Sequence, residues 1–87
     1  MKKVAIVFNG GTISMKVDPR VQAAVPSLSG EEIVAMVTGI EKYAYIESYN
    51  FSNVPSPFVT PNDMMKLSKY VKDLLDREDI DGVVVTH

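Results

Sequence analysis

The chain reads as an α/β domain with a three-layer parallel sheet in a β-α-β-α-β order, and three observations predict this. Residues 4–8 and 83–85 are wholly apolar runs, the pattern of strands buried on both faces of a parallel sheet. Residues 42–51 alternate, with Ala44, Ile46 and Ser48 on one side and Tyr43, Tyr45, Glu47 and Tyr49 on the other, as a half-exposed strand does. Two helix starts with side-chain caps fall between these runs. Right-handed crossovers place the helices over the sheet. The two apolar strands belong side by side and the alternating strand outside the first. That order, 2-1-3, has a switch point between strands one and three, and ligands of such sheets bind at the carboxyl edge there.

In chain order, the first strand runs from Lys2 to Phe8 and breaks at Asn9-Gly10-Gly11-Thr12-Ile13-Ser14. Residues 15–28 show no clear period and exceed an ordinary strand-to-helix connection, which predicts a mobile flap. Ser29-Gly30-Glu31-Glu32 has the form of a capping box and opens a short helix to about Thr38, its inner face Ile33, Val34 and Val37, ended by Gly39. Residues 53–59 hold Pro55 and Pro57 and predict a rigid loop, neither helix nor inner strand. Thr60 then caps a second helix with Pro61 in its first turn and Asp63 near the positive end of the dipole. Met64, Leu67, Val71, Leu74 and Leu75 recur at helical spacing, carrying it to about Arg77, with the methionines as core filler. Asp81-Gly82 turns the chain into the third strand, residues 83–87.

Composition narrows the function. At 87 residues the chain is one domain, 1–87, with a modest core. A net charge of -2, from 9 basic and 11 acidic residues without a block of one sign, argues against a nucleic-acid groove or an anionic membrane surface. There is no cysteine, and the single His87 assembles no metal site by itself. No stretch reaches transmembrane length and residues 1–8 lack the form of a signal peptide, so a cytoplasmic location is expected. No cofactor is expected, and a small neutral or zwitterionic ligand fits the charge balance.

The residues themselves point to the Gly-Gly-Thr turn. It follows a buried strand directly, so a hydroxyl is presented at the end of that strand, and two glycines allow a sharp turn and a close approach. Thr12 is the candidate nucleophile; the alternative is an ordinary Gly-rich turn in which Thr12 and Ser14 cap backbone. Thr12, Ser56 and His87 follow the ends of the first, second and third strands, so all three are expected at one edge of the sheet.

With those motifs in place, the sequence resembles the bacterial-type L-asparaginases, the asparaginase/glutaminase family, and most closely its cytoplasmic type I branch. The resemblance spans the whole chain and rests on Gly10-Gly11-Thr12-Ile13-Ser14, on residues 55–63 and on residues 81–87. It implies that Thr12 attacks the side-chain amide of L-asparagine, or of L-glutamine as the alternative substrate, that ammonia leaves, and that water hydrolyses the acyl-enzyme. It implies that Ser56 holds the substrate α-carboxylate and that Gly11 permits tight approach and contributes its amide. It further implies a homo-oligomer, dimer or tetramer, and a chain that corresponds to the N-terminal part of the family's α/β domain and is inactive alone. A second catalytic threonine, an aspartate for the substrate amino group and a lysine belong to later segments of the family.

Two positions depart from the family pattern. Asn9 stands where threonine is usual, and residues 15–28 contain no tyrosine, so the group assisting Thr12 is unassigned. Two other classes compete with the enzyme reading: a small anion- or nucleotide-binding module and a self-association domain. The module lacks support, since there is no G-x-G-x-x-G and no Walker lysine, and a long flap separates the Gly-Gly-Thr turn from the next helix.

Overall fold

The computed structural model describes the backbone of residues 1–87 and every side chain except those of Val25 and Pro26. Along the chain run β1 (Lys3–Gly10), β2 (Met15–Asp18), β3 (Ala23–Pro26), α1 (Gly30–Ala35), β4 (Tyr45–Val54), α2 (Pro61–Leu75) and β5 (Gly82–Thr86). Single 3-10 turns sit at Thr12–Ser14, Ile40–Lys42 and Ser56–Phe58. The main sheet is parallel, in the order β4-β1-β5, so the expected 2-1-3 arrangement holds.

Alternation along β1 divides the core between the two faces. Ala5 and Val7, both fully buried, face α2 and pack with Leu74, Ile80, Leu67 and Val71. Complete burial of a valine such as Val7 is worth about 1.5–3 kcal/mol. Tyr49 is in register with Val7, and it and Phe51 bring aromatic rings to the same face, where they meet Tyr70 at 6.2 and 5.0 Å between centroids. Phe8 points to the other face, beneath the start of α1, where a Cβ on Gly30 would stand 2.3 Å from the Phe8 ring. The helices thus lie on opposite faces of the sheet.

Both caps form as the sequence dictates. The Ser29 hydroxyl accepts from the Glu32 amide at 3.2 Å and the Glu32 carboxylate accepts from the Ser29 amide at 3.1 Å. Thr60 and Asp63 repeat the exchange at 3.1 and 3.0 Å, with Pro61 opening the helix.

Several expectations need correction. Residues 15–28 are not without secondary structure: β2 and β3 pair antiparallel, Met15 opposite Pro26 and Asp18 opposite Ala23. The hairpin turn carries Gln22 at φ 51, held by the Gln22 amide donating to the Asp18 carbonyl at 2.8 Å, so no glycine marks it in the sequence. Helix α1 stops at Ala35 because its last amides tighten to three-residue bonds, Met36 to Ile33 and Val37 to Val34, which turns Val37 outward to 50% exposure. On α2, Met64 and Leu75 are exposed, so the apolar face is narrower than its spacing suggests. Strand β4 extends to Val54, three residues beyond the alternating run, and the following loop includes a helical turn at Ser56–Phe58. β5 lies at a sheet edge with Val84 and Val85 exposed.

Candidate active site

Parallel strands bring the polar groups of their loops to one edge, and the register shows which meet. Gly10 is paired with Val54, so the Thr12 turn and the Ser56 turn each begin just beyond a matched pair of neighbours. On the other flank, β5 brings His87 against Gly11. Thr12, Ser56 and His87 therefore share the carboxyl edge, as the topology requires.

The glycines serve the backbone there. Gly10 and Gly11 have φ of 80 and 78, a region costly for residues with a Cβ. A Cβ on Gly10 would stand 2.5 Å from the Val54 nitrogen, and one on Gly11 would stand 2.4 Å from the His87 carbonyl carbon. The close approach these glycines permit is to the neighbouring chain, Val54 of β4 and His87 just past β5. The Gly11 amide is also engaged, donating to the Val54 carbonyl at 2.9 Å.

Thr12 follows on the 3-10 turn with its side chain exposed. Its neighbour Ser14 differs sharply: it is 2% exposed, and its hydroxyl donates to the Gly11 carbonyl at 2.9 Å with the Asn53 side-chain oxygen at 3.3 Å. Ser14 is thus a local cap, and its carbonyl accepts the Ser27 and Leu28 amides that close the base of the hairpin. Ser56 is exposed, and Pro55 fixes the start of its turn, with the Val59 amide donating to the Ser56 carbonyl at 3.2 Å. Among the described residues, neither the Thr12 nor the Ser56 hydroxyl is bonded to a protein group. Next to this edge lies a cavity of about 300 Å³ lined by Gly10, Ser14, Ser27, Ser29, Ser52 and Asn53, among others.

Sequence reasoning missed one pair. Asn9 is 6% exposed, and its side-chain oxygen accepts from the Ser52 hydroxyl on β4. The only signal in the sequence is an amide side chain at the end of an otherwise apolar strand, which must be satisfied when buried.

The strongest electrostatics lie elsewhere. Toward the amino ends of the strands, Arg77 grips Asp79 through two bonds of 3.0 and 2.7 Å and donates to the Tyr49 hydroxyl at 2.7 Å. Lys3 bridges Glu47 and Asp79 at 3.1 and 3.2 Å. The Arg77 guanidinium, then Lys3, hold the Asp79 carboxyl down to about 2. The Tyr49 hydroxyl, then Lys3, lower Glu47, while the bond to Glu47 raises Tyr49. No cluster of metal-ligating side chains and no helix long and apolar enough to cross a membrane occur among the described residues.

Comparison with known proteins places this geometry. The family model described as "Asparaginase, N-terminal" matches residues 3–87. A glutamyl-tRNA(Gln) amidotransferase subunit of Thermofilum pendens is 33% identical over 98% of this chain and 19% of its own length. An L-asparaginase of Bacillus licheniformis is 29% identical over 99% of this chain and 26% of its own. The solved structure of the thermostable L-asparaginase from Thermococcus kodakarensis superposes with a TM-score of 0.79 at 27% identity, over 98% of this chain and 25% of that one. The chain thus spans about a fifth to a quarter of the length of these proteins. With its Gly-Gly-Thr turn at the carboxyl edge of a β4-β1-β5 sheet and a family match along nearly its whole length, this chain belongs to the asparaginase N-terminal family.

Proposed function

We propose that this segment carries the nucleophile half of an amidohydrolase site that converts L-asparagine to L-aspartate and ammonia, within a polypeptide of the length its relatives have. Thr12 Oγ1 adds to the side-chain amide carbon and passes its proton to a general base, which returns it to the departing nitrogen, so that the carbon–nitrogen bond breaks and ammonia leaves. Water then cleaves the threonine ester, releasing aspartate and the free hydroxyl. Ser56 holds the substrate α-carboxylate. Gly11 contributes by letting the chain turn tightly beside the bound substrate, its amide being engaged by Val54. In this reading the complete enzyme is a cytoplasmic homo-oligomer of the type I kind, without a cofactor, and L-glutamine is the alternative amide.

The observation that supports this best is the pair of exposed hydroxyls, Thr12 and Ser56, unbonded among the described residues, on turns that begin beside the matched Gly10 and Val54. Ser14 cannot replace Thr12, because it is buried and already bonded to Gly11. An anion-binding module is disfavoured, since the Gly-Gly-Thr turn leads into a hairpin and not into a helix N-terminus.

Ammonia release from asparagine and glutamine by the chain extended to the length of its relatives tests the proposal. Thr12→Ala should reduce release by about a thousandfold or more while leaving the circular-dichroism spectrum intact. Near-normal turnover by that variant would overturn it. The amidotransferase subunits among the relatives support a second reading, in which the ammonia passes to an acceptor rather than to solvent. Ammonia release without any acceptor favours the hydrolase.

A further inference from the structure

We infer that Asn9 is a positioning residue, one that sets where the Thr12 turn leaves the sheet; this rests on the reading of Thr12 as nucleophile. The observation is a break in register. Phe8 is paired with Asn50, but two residues later Gly10 is paired with Val54, four residues on. β4 therefore carries two extra residues opposite Asn9, a bulge that bends the strand and re-aims the residues beyond it.

Ser52 and Asn53 within the bulge, and Val54 just past it, are each tied to a different residue at the end of β1 or in the turn that follows. Ser52 donates to the Asn9 side-chain oxygen, and its hydroxyl lies 3.3 Å from the Asn9 carbonyl. Asn53 stands 3.3 Å from the Ser14 hydroxyl, which also donates to the Gly11 carbonyl. Val54 accepts the Gly11 amide at 2.9 Å. Only the first of these ties uses a side chain of β1, and it lies where backbone pairing lapses. The Asn9 amide substitutes for the missing ladder bonds. Because it is nearly fully buried and directly precedes Gly10, its loss shifts Gly10, Gly11 and Thr12 together.

The test uses Asn9→Leu, which keeps the approximate shape without the acceptor, and Ser52→Ala, which removes the donor from the other strand. In the chain extended to the length of its relatives, each should lower kcat about 10- to 100-fold with KM within about twofold, the cost of misplacing a reacting group by a fraction of an ångström to an ångström. The double variant should be no worse than about twofold beyond the weaker single, as for residues acting through one bond. Ser52→Thr, which keeps the hydroxyl, should restore kcat to within about threefold of wild type. In the 87-residue chain, Ser52→Ala should also speed hydrogen exchange at the Gly11 amide. Unchanged kcat in both single variants, or losses that multiply in the double variant, would overturn the inference. If Asn9→Leu does not fold, Ser52→Ala and Ser52→Thr decide it. An active Thr12→Ala variant removes the nucleophile reading itself, whereas an inactive Thr12→Ala beside fully active Asn9 and Ser52 variants removes only the role of Asn9.

Discussion

The two edges of this sheet use their polar groups in opposite ways. At the amino edge, Lys3, Glu47, Tyr49, Arg77 and Asp79 satisfy one another, and Asp81 clasps the start of β1 through the Lys3 amide at 2.8 Å. At the carboxyl edge the buried side chains of Asn9 and Ser14 and the half-buried Ser52 are bonded, while among the described residues the exposed hydroxyls of Thr12 and Ser56, and the buried Thr86 hydroxyl, have no protein partner. Strongly shifted ionisable groups often mark functional sites. Here they mark a mutual ion-pair cluster, and the edge proposed as the site carries instead exposed hydroxyls, unbonded among the described residues, and crowded glycines.

The contrast breaks most severely at Gly10. Gly10→Ala puts a methyl group 2.5 Å from the Val54 nitrogen at a φ of 80, so a loss of about 2–4 kcal/mol is expected in urea unfolding. A wild-type midpoint would show that the two backbones are not pressed together at this edge. Ser56→Ala should act on function and not on stability, because the hydroxyl bonds no protein group among the described residues. Losing a hydrogen bond to a carboxylate raises KM about 10- to 100-fold, with a much smaller change in kcat, in steady-state kinetics of the extended chain. An unaltered KM would remove Ser56 from the site.

The amino edge should respond to acid. Asp79 and Glu47 both titrate below their ordinary values when folded. The stability they contribute is therefore fully present above the usual carboxylate range and is lost as pH falls from about 4 towards the Asp79 value of about 2. Asp79 is exposed and Glu47 partly so, and solvent screening keeps the effect small. Asp79→Asn should flatten the acid limb of the thermal midpoint measured between about pH 2 and 7, leaving the carboxyl edge untouched. An acid limb identical to wild type would mean that the cluster contributes nothing to folding.

Much of the scaffold was legible because local chemistry decided it. The two apolar runs and one alternating run predict the strand order, although β5, as apolar as β1, lies at an edge with Val84 and Val85 exposed, and Ser29 with Glu32 and Thr60 with Asp63 mark both helix starts. The carboxyl-edge convergence of Thr12, Ser56 and His87 follows from strand order alone. The features that escaped depend on register between distant segments. The Asn9–Ser52 bond spans 43 positions and exists only because β4 bulges opposite Asn9. The β2–β3 hairpin is hidden because its turn uses Gln22 in a conformation usually given to glycine or asparagine. The role of the glycines is hidden for a related reason: their missing side chains make room for Val54 and His87, which are remote in sequence.

The central claim is that the Thr12 hydroxyl becomes acylated, and peptide mapping tests it most directly. The extended chain, treated with an electrophilic asparagine analogue that acylates without being hydrolysed, is digested with trypsin and analysed by mass spectrometry. Cleavage after Lys3 and Lys16 isolates residues 4–16, and fragmentation separates Thr12 from Ser14. The expected result is a single adduct on Thr12, prevented by excess asparagine and absent from Thr12→Ala. An adduct on Ser14 or on any other peptide, with Thr12 unmodified, would contradict it.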